Sequence, residues 1–104
     1  MGTTELLKTN EKIKLTRRKI EKITISILSL CKERMLLAKE IGLLKSKAGL
    51  PIENSEAEDR LKKIVIEKSK QMKLPPSFGL KLLSLLIEES KNEQKVIIRE
   101  KKEK

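Results

Sequence analysis

The sequence predicts an all-helical fold built from three helices, and three observations carry that expectation. Leu, Ile, Lys and Glu, all compatible with helix, dominate the chain. No stretch alternates apolar and polar residues with period two for long enough to build a sheet. The proline-free run from Lys12 to Ala48 sets its apolar side chains on a helical repeat: Ile13, Ile20, Ile27 and Ile41 fall on a seven-residue spacing, with Ile23, Leu30, Leu37 and Leu44 as the second row of the seam. Position 34, where that spacing calls for isoleucine, is arginine. A guanidinium does not deprotonate to escape burial, so it is costly on a packing seam unless an anion meets it there.

Residues 1–10 are short and mixed and are expected to fray, with the first helix running from near Lys12 to about Lys47. Gly49 and Pro51 end it, since glycine accepts the left-handed cap and proline does not continue a helix. At about 1.5 Å rise per residue this helix is a rod of roughly 55 Å, against a radius of gyration of about 13 Å for a compact domain of this size. One copy of the chain does not wrap such a rod, so the helix either breaks or is shared with a second subunit.

After a loop over Ala48 to Asn54, the second helix is expected from Ser55 to about Met72. Ser55 and Glu58 have the spacing of a capping box, in which the serine oxygen accepts from a backbone N–H and the glutamate reaches back. Leu61, Ile64, Val65 and Lys68 give this helix its packing edge. Pro75 and Pro76 break it, and a proline at the first position suits the start of the third helix, expected from about Pro76 to Ile98. The inner stripe of helix 3 reads Leu80, Leu83, Ile87, then Ser90, Gln94 and Ile97, so two hydrogen-bonding side chains replace apolar ones and need partners. Residues 99–104 hold four cations in six positions and are expected to fray like the other end.

At 104 residues with 38% hydrophobic content, the chain suits a single domain with a modest core. Its formal charge of +10 raises nucleic acid or an anionic membrane as partners. No tryptophan or tyrosine and a single phenylalanine, Phe78, leave nothing to interleave with the cations as a stacking platform for single strands, and a small anionic ligand stays open as a partner. One cysteine, Cys31, and no histidine exclude a disulfide framework, a zinc site of the usual ligands and histidine acid–base chemistry, and no metal is expected. With no apolar run near membrane-spanning length and no signal-peptide pattern at the N-terminus, a cytoplasmic protein is expected, with no membrane partner.

Arg34 and Lys45 are three turns apart and point the same way, roughly 16 Å apart along the axis, so two long side chains leaning together can grip one small dianion. Arg17 lies about 25 Å from Arg34 and some 100° around the helix, too far to reach the same ligand within one subunit. If it contributes, it serves the partner's site.

The order Arg17, Arg34, Lys45, a Leu50-Pro51-Ile52 loop, Asn54, Glu58, Ser90 and Gln94 resembles the all-helical chorismate mutases. So do the strings Glu33-Arg34-Met35-Leu36-Leu37-Ala38 and Ile87-Glu88-Glu89-Ser90, and the resemblance covers roughly residues 13 to 95. It implies an intertwined homodimer whose long first helix spans both subunits, and the rearrangement of chorismate to prephenate, an intramolecular Claisen reaction on the route to phenylalanine and tyrosine, without a cofactor. It further implies that Arg34, with Arg17 from the other chain, holds the two carboxylates of chorismate. Lys45 and Gln94 meet the ether oxygen of the breaking bond, Glu58 with the loop near Asn54 accepts the ring hydroxyl, and Ser90 meets a carboxylate. Ile41, Leu61 and Ile87 are candidate apolar walls.

Two positions depart from the family pattern. Ala57 stands where an arginine often precedes the glutamate, and Asn54 where the loop commonly has aspartate. Both put affinity for the substrate in question. An isochorismate pyruvate lyase of the same fold, or a non-catalytic basic helical module that binds nucleic acid, are the alternative readings.

Overall fold

The computed structural model describes the backbone of residues 2–103 and the side chains of residues 2–97 and Arg99. The chain forms three helices, α1 (Thr3–Ala48), α2 (Ser55–Gln71) and α3 (Pro76–Glu103), with no strand among the described residues. The all-helical expectation is met. By internal packing the chain divides into residues 1–32 and residues 33–104.

Two boundaries differ from those expected. The first helix starts at Thr3, not near Lys12, because nothing before Lys12 stops it: the Gly2 carbonyl accepts from Glu5 N at 3.1 Å, Glu5 puts a carboxylate in the first turn, and the Thr9 hydroxyl donates to Glu5 O at 2.9 Å. The third runs to Glu103, past Ile98, through a run of Lys, Arg and Glu that favours helix. Fraying of residues 1–10 and 99–104 concerns in part Met1, Lys104 and end side chains that lie outside the described residues.

In residues 1–32, every described side chain from Gly2 to Leu30 is exposed. Thr16, Thr24 and Ser26 donate their hydroxyls to carbonyls four residues back, at 2.8, 2.8 and 3.1 Å.

In residues 33–104, α2 and α3 pack together, and residues 33–48 of α1 meet α3. The core is thin: Ala38, Leu83 and Ile97 are buried, with Ser69 and Gln94 as the buried polar residues. Helix α1 ends by Gly49, whose φ of 68° is the left-handed conformation glycine tolerates; Leu50 N then reaches Lys45 O at 2.9 Å and closes the helix. Helix α2 ends the same way with Lys73 at φ 60°, where Leu74 N bonds Ser69 O at 2.8 Å.

The cap of α2 corrects the capping-box expectation. Asn54, in extended conformation with φ −139°, is the N-cap, and its Oδ1 accepts from Ala57 N at 3.1 Å. Ser55 is therefore the first helical residue, and Glu58 stands one place too far along to reach back to the cap. Its carboxylate is turned to Lys91 instead. The packing face of α2 also shifts: Leu61, Val65 and Ser69 are covered, whereas Ile64 is exposed. That face is one helical stripe of four-residue steps, off which Ile64 and Lys68 both fall.

Among the described residues no helix is long and apolar enough to cross a membrane.

Candidate active site

Residues 33–48 of α1 present an unusual face to α3. Arg34, Ala38 and Gly42 follow one another at four-residue steps, with Lys45 next, so the face is small in the middle and cationic at both ends. Ala38 and Gly42 are the buried ones. A glycine inside a helix costs up to about 1 kcal/mol relative to alanine, and the reason for it here is close approach. A Cβ on Gly42 would stand 3.1 Å from Gln94 Cα and 3.1 Å from its Cγ. The missing methyl lets α3 come close enough for Gln94 to sit beside Lys45.

The cations are anchored by their neighbours. Arg34 Nη1 donates to Leu86 O at 2.9 Å and to Ser90 Oγ, while Ser90 Oγ donates in turn to Leu86 O at 2.9 Å. Both protons of one guanidinium nitrogen are thus spent on α3, which leaves Nη2 and Nε as the fork for a ligand. The burial cost raised by an arginine on the seam is met in this structure by a carbonyl and a hydroxyl. Lys45 Nζ donates to Ile52 O at 2.5 Å, tying down the α1–α2 loop, and to Gln94 Oε1 at 3.2 Å. An ammonium has three protons, so one remains. Gln94, 6% exposed, has its oxygen engaged by Lys45 and its N–H₂ left to offer.

These groups surround one cavity of about 390 Å³. Arg34, Lys45, Asn54, Glu58, Ser90 and Gln94 all line it, so six of the seven residues singled out in the sequence come together. Arg17, exposed and in residues 1–32, is not among the lining residues. Ile41, Leu61 and Ile87 form apolar wall, as expected, along with Leu37, Ala38, Ile52 and Ala57. Three cationic side chains, Arg34, Lys45 and Lys91, face one carboxylate, Glu58, which gives a small semi-apolar chamber a net positive lining suited to a compact dianion.

Comparison with known proteins matches residues 16–95 to the family described as chorismate mutase type II. The chain belongs to this family. It is 35% identical over 98 residues to a chorismate mutase of Methanocaldococcus jannaschii, covering 90% of this chain and 95% of that protein. It is 40% identical over 62 residues to a bifunctional chorismate mutase/prephenate dehydratase of Aquifex aeolicus, a match covering 60% of this chain and 17% of that larger protein. The family match spans the cavity-lining residues and Arg17 alike.

Two residues of this candidate site escaped sequence reasoning. Gly42 carried a signal, as a glycine in mid-helix with no turn to explain it. Lys91 lines the cavity and pairs with Glu58 at 2.8 Å and with Glu53 at 3.4 Å. It sits four residues after Ile87 and three before Gln94, hence on the same stripe, but nothing in the sequence sets it apart from the chain's other lysines. The pairing holds the Glu58 carboxyl below the usual carboxylate range, chiefly through the hydrogen bond from Lys91, with the charges of Lys91, Lys62 and Lys45 adding and burial opposing. Lys91 is pushed up in turn, first by its hydrogen bond to Glu58.

Proposed function

We propose that the chain is an isomerase, a chorismate mutase that rearranges chorismate to prephenate in phenylalanine and tyrosine biosynthesis in the cytoplasm. The observation that carries this reading is the convergence of Arg34, Lys45, Glu58, Ser90 and Gln94 on one cavity in a member of this family.

The reaction breaks a C–O bond and forms a C–C bond within one molecule, so the site needs neither nucleophile nor proton carrier. It needs to hold the enolpyruvyl ether folded over the ring and to answer the negative charge that grows on the ether oxygen. The free edge of the Arg34 guanidinium takes one carboxylate as a fork, with Ser90 keeping the arginine in place. The remaining Lys45 proton and the Gln94 N–H₂ donate to the ether oxygen, and donors of this kind are worth about 3–4 kcal/mol each in other enzymes. Glu58 accepts the ring hydroxyl, and Asn54, by capping α2, fixes where Glu58 begins. Ile41, Leu61 and Ile87 exclude water from the ring.

The active form is a homodimer in which each chain supplies Arg17 to its partner's site for the second carboxylate. The apolar rows of α1 support this: Ile20, Ile23 and Leu30 are 58%, 60% and 63% exposed in the single chain, and leaving such side chains in water forgoes about 1.5–3 kcal/mol each.

Purified protein mixed with chorismate tests the activity directly. Loss of chorismate absorbance with prephenate as product is expected. Release of pyruvate from isochorismate, with chorismate untouched, would move the chain to the lyase reading.

A further inference from the structure

Lys91 is the cation of the cavity wall that the proposed chemistry leaves without a task. It reaches from α3 to two carboxylates: Glu53 in the α1–α2 loop at 3.4 Å and Glu58 in the first turn of α2 at 2.8 Å. The two contacts are unequal. Glu53 is 80% exposed, and an ion pair in that setting contributes little. Glu58 and Lys91 are 27% and 26% exposed and both line the cavity.

Glu58 is also free of the duty its position in the sequence suggests, because Asn54 caps α2. Its Oε1 is taken by Lys91. A carboxylate held by one oxygen keeps the other as an acceptor, and a held carboxylate loses less rotamer freedom when a ligand arrives than a free one.

We infer that Lys91 is a positioning residue: by holding one oxygen of Glu58 it presents the other to the cavity as acceptor for a substrate hydroxyl, and so sets how strongly the site prefers a substrate that carries that hydroxyl. The inference rests on the reading of Glu58 given under the proposed function. It also accounts for how a site with Ala57 in its wall still holds a cation beside Glu58.

The pH dependence follows. The charged groups acting on Glu58 are Lys91 from α3, Lys62 from α2 and Lys45 from α1, and Glu53 from the loop acts on Lys91. Glu58 is held below its ordinary range, so the acceptor is present at neutral pH and lost only as pH falls through that depressed pKa, below the reference of about 4.3. Lys91 is raised, so the pair persists in alkali until pH climbs through that raised pKa, above the lysine reference of about 10.4.

The test compares chorismate with an analogue whose ring hydroxyl is replaced by hydrogen, in wild type, Lys91→Met and Lys91→Arg. The expected result for Lys91→Met is a drop of about tenfold in kcat/KM for chorismate, carried mostly by KM, and less than about twofold for the analogue, with Lys91→Arg recovering most of the loss. An equal loss on both substrates, or none on chorismate, overturns the inference. A second readout needs no turnover: titration of the 13C-labelled Glu58 carboxyl should find its pKa below the glutamate reference in wild type and moved up in Lys91→Met, and an unmoved pKa overturns it. Should Lys91→Met fail to fold by circular dichroism, Lys91→Gln replaces it in both arms. If wild type leaves chorismate unchanged, the proposed function fails, and the titration alone decides whether Lys91 holds Glu58.

Discussion

Residues 3–32 and residues 33–48 belong to one unbroken helix of similar composition, yet they make different uses of the same repeat. In the first part every side chain from Thr3 to Leu30 is exposed, isoleucines included; in the second Ala38 and Gly42 are buried, and Arg34 and Lys45 are half-buried with their donors engaged. The apolar rows do not make the difference, for Leu37, Ile41 and Leu44 in the second part are 59%, 47% and 58% exposed as well. What packs inside the chain is the small and charged face of α1, against α3. The exposed apolar side chains of residues 3–30 are left, in the proposed dimer, for the second subunit, whereas Leu37 and Ile41 line the cavity of their own chain. Helical periodicity reports a buried face without saying in which molecule it is buried.

The largest expected effect sits on the packed side. Arg34→Ala should lower kcat/KM by about 10³-fold or more, since it removes the carboxylate fork, while circular dichroism keeps its helical signal. A variant that keeps the wild-type rate would mean that the small, charged face is there for packing alone. On the exposed side, Ile20→Glu should dissociate the dimer and take activity with it, because each dimer would have to bury two new carboxylates. Sedimentation at micromolar concentration checks this, and an unperturbed, active dimer would break the proposed division of labour.

Much of this was legible in the sequence. Both interhelical breaks fall where Gly49, Pro51, Pro75 and Pro76 put them, and Ser90 and Gln94 declared themselves as polar residues on an apolar stripe. Where reading failed, the deciding interaction was tertiary or ambiguous in register. Asn54 and Ser55 are both good caps, and only the extended backbone at Asn54 chooses between them. Thr3 starts α1 because its first turns contain no breaker, an absence that short mixed composition concealed. Lys91 escaped because the reach of a long side chain to Glu58 has no periodicity, and Gly42 because its partner, Gln94, is far along the chain.

Gly42→Ala sharpens the comparison with a smaller effect. The added methyl favours the helix by up to about 1 kcal/mol but presses on Gln94 at 3.1 Å. A shift of the amide by a fraction of an ångström should cost about tenfold to a hundredfold in kcat, with helix content unchanged; an unaltered kcat would show that Gln94 need not lie where α1 lets it. Smallest of all, Arg18→Ala should change kcat/KM less than about twofold, since Arg18 is an exposed cation some 100° around the helix from Arg17. A loss as large as that from Arg17→Ala would make the basic cluster, not one arginine, the functional unit of residues 1–32.

The central claim is that one helix serves two sites, with Arg34 in its own chain and Arg17 in the partner's. Mixing inactive Arg17→Ala subunits with inactive Arg34→Ala subunits tests it most directly, because each heterodimer then regains both arginines at one of its two sites. The account predicts recovery to about half of wild-type activity per heterodimer. No recovery, after subunit exchange has been verified by mass spectrometry, would contradict it.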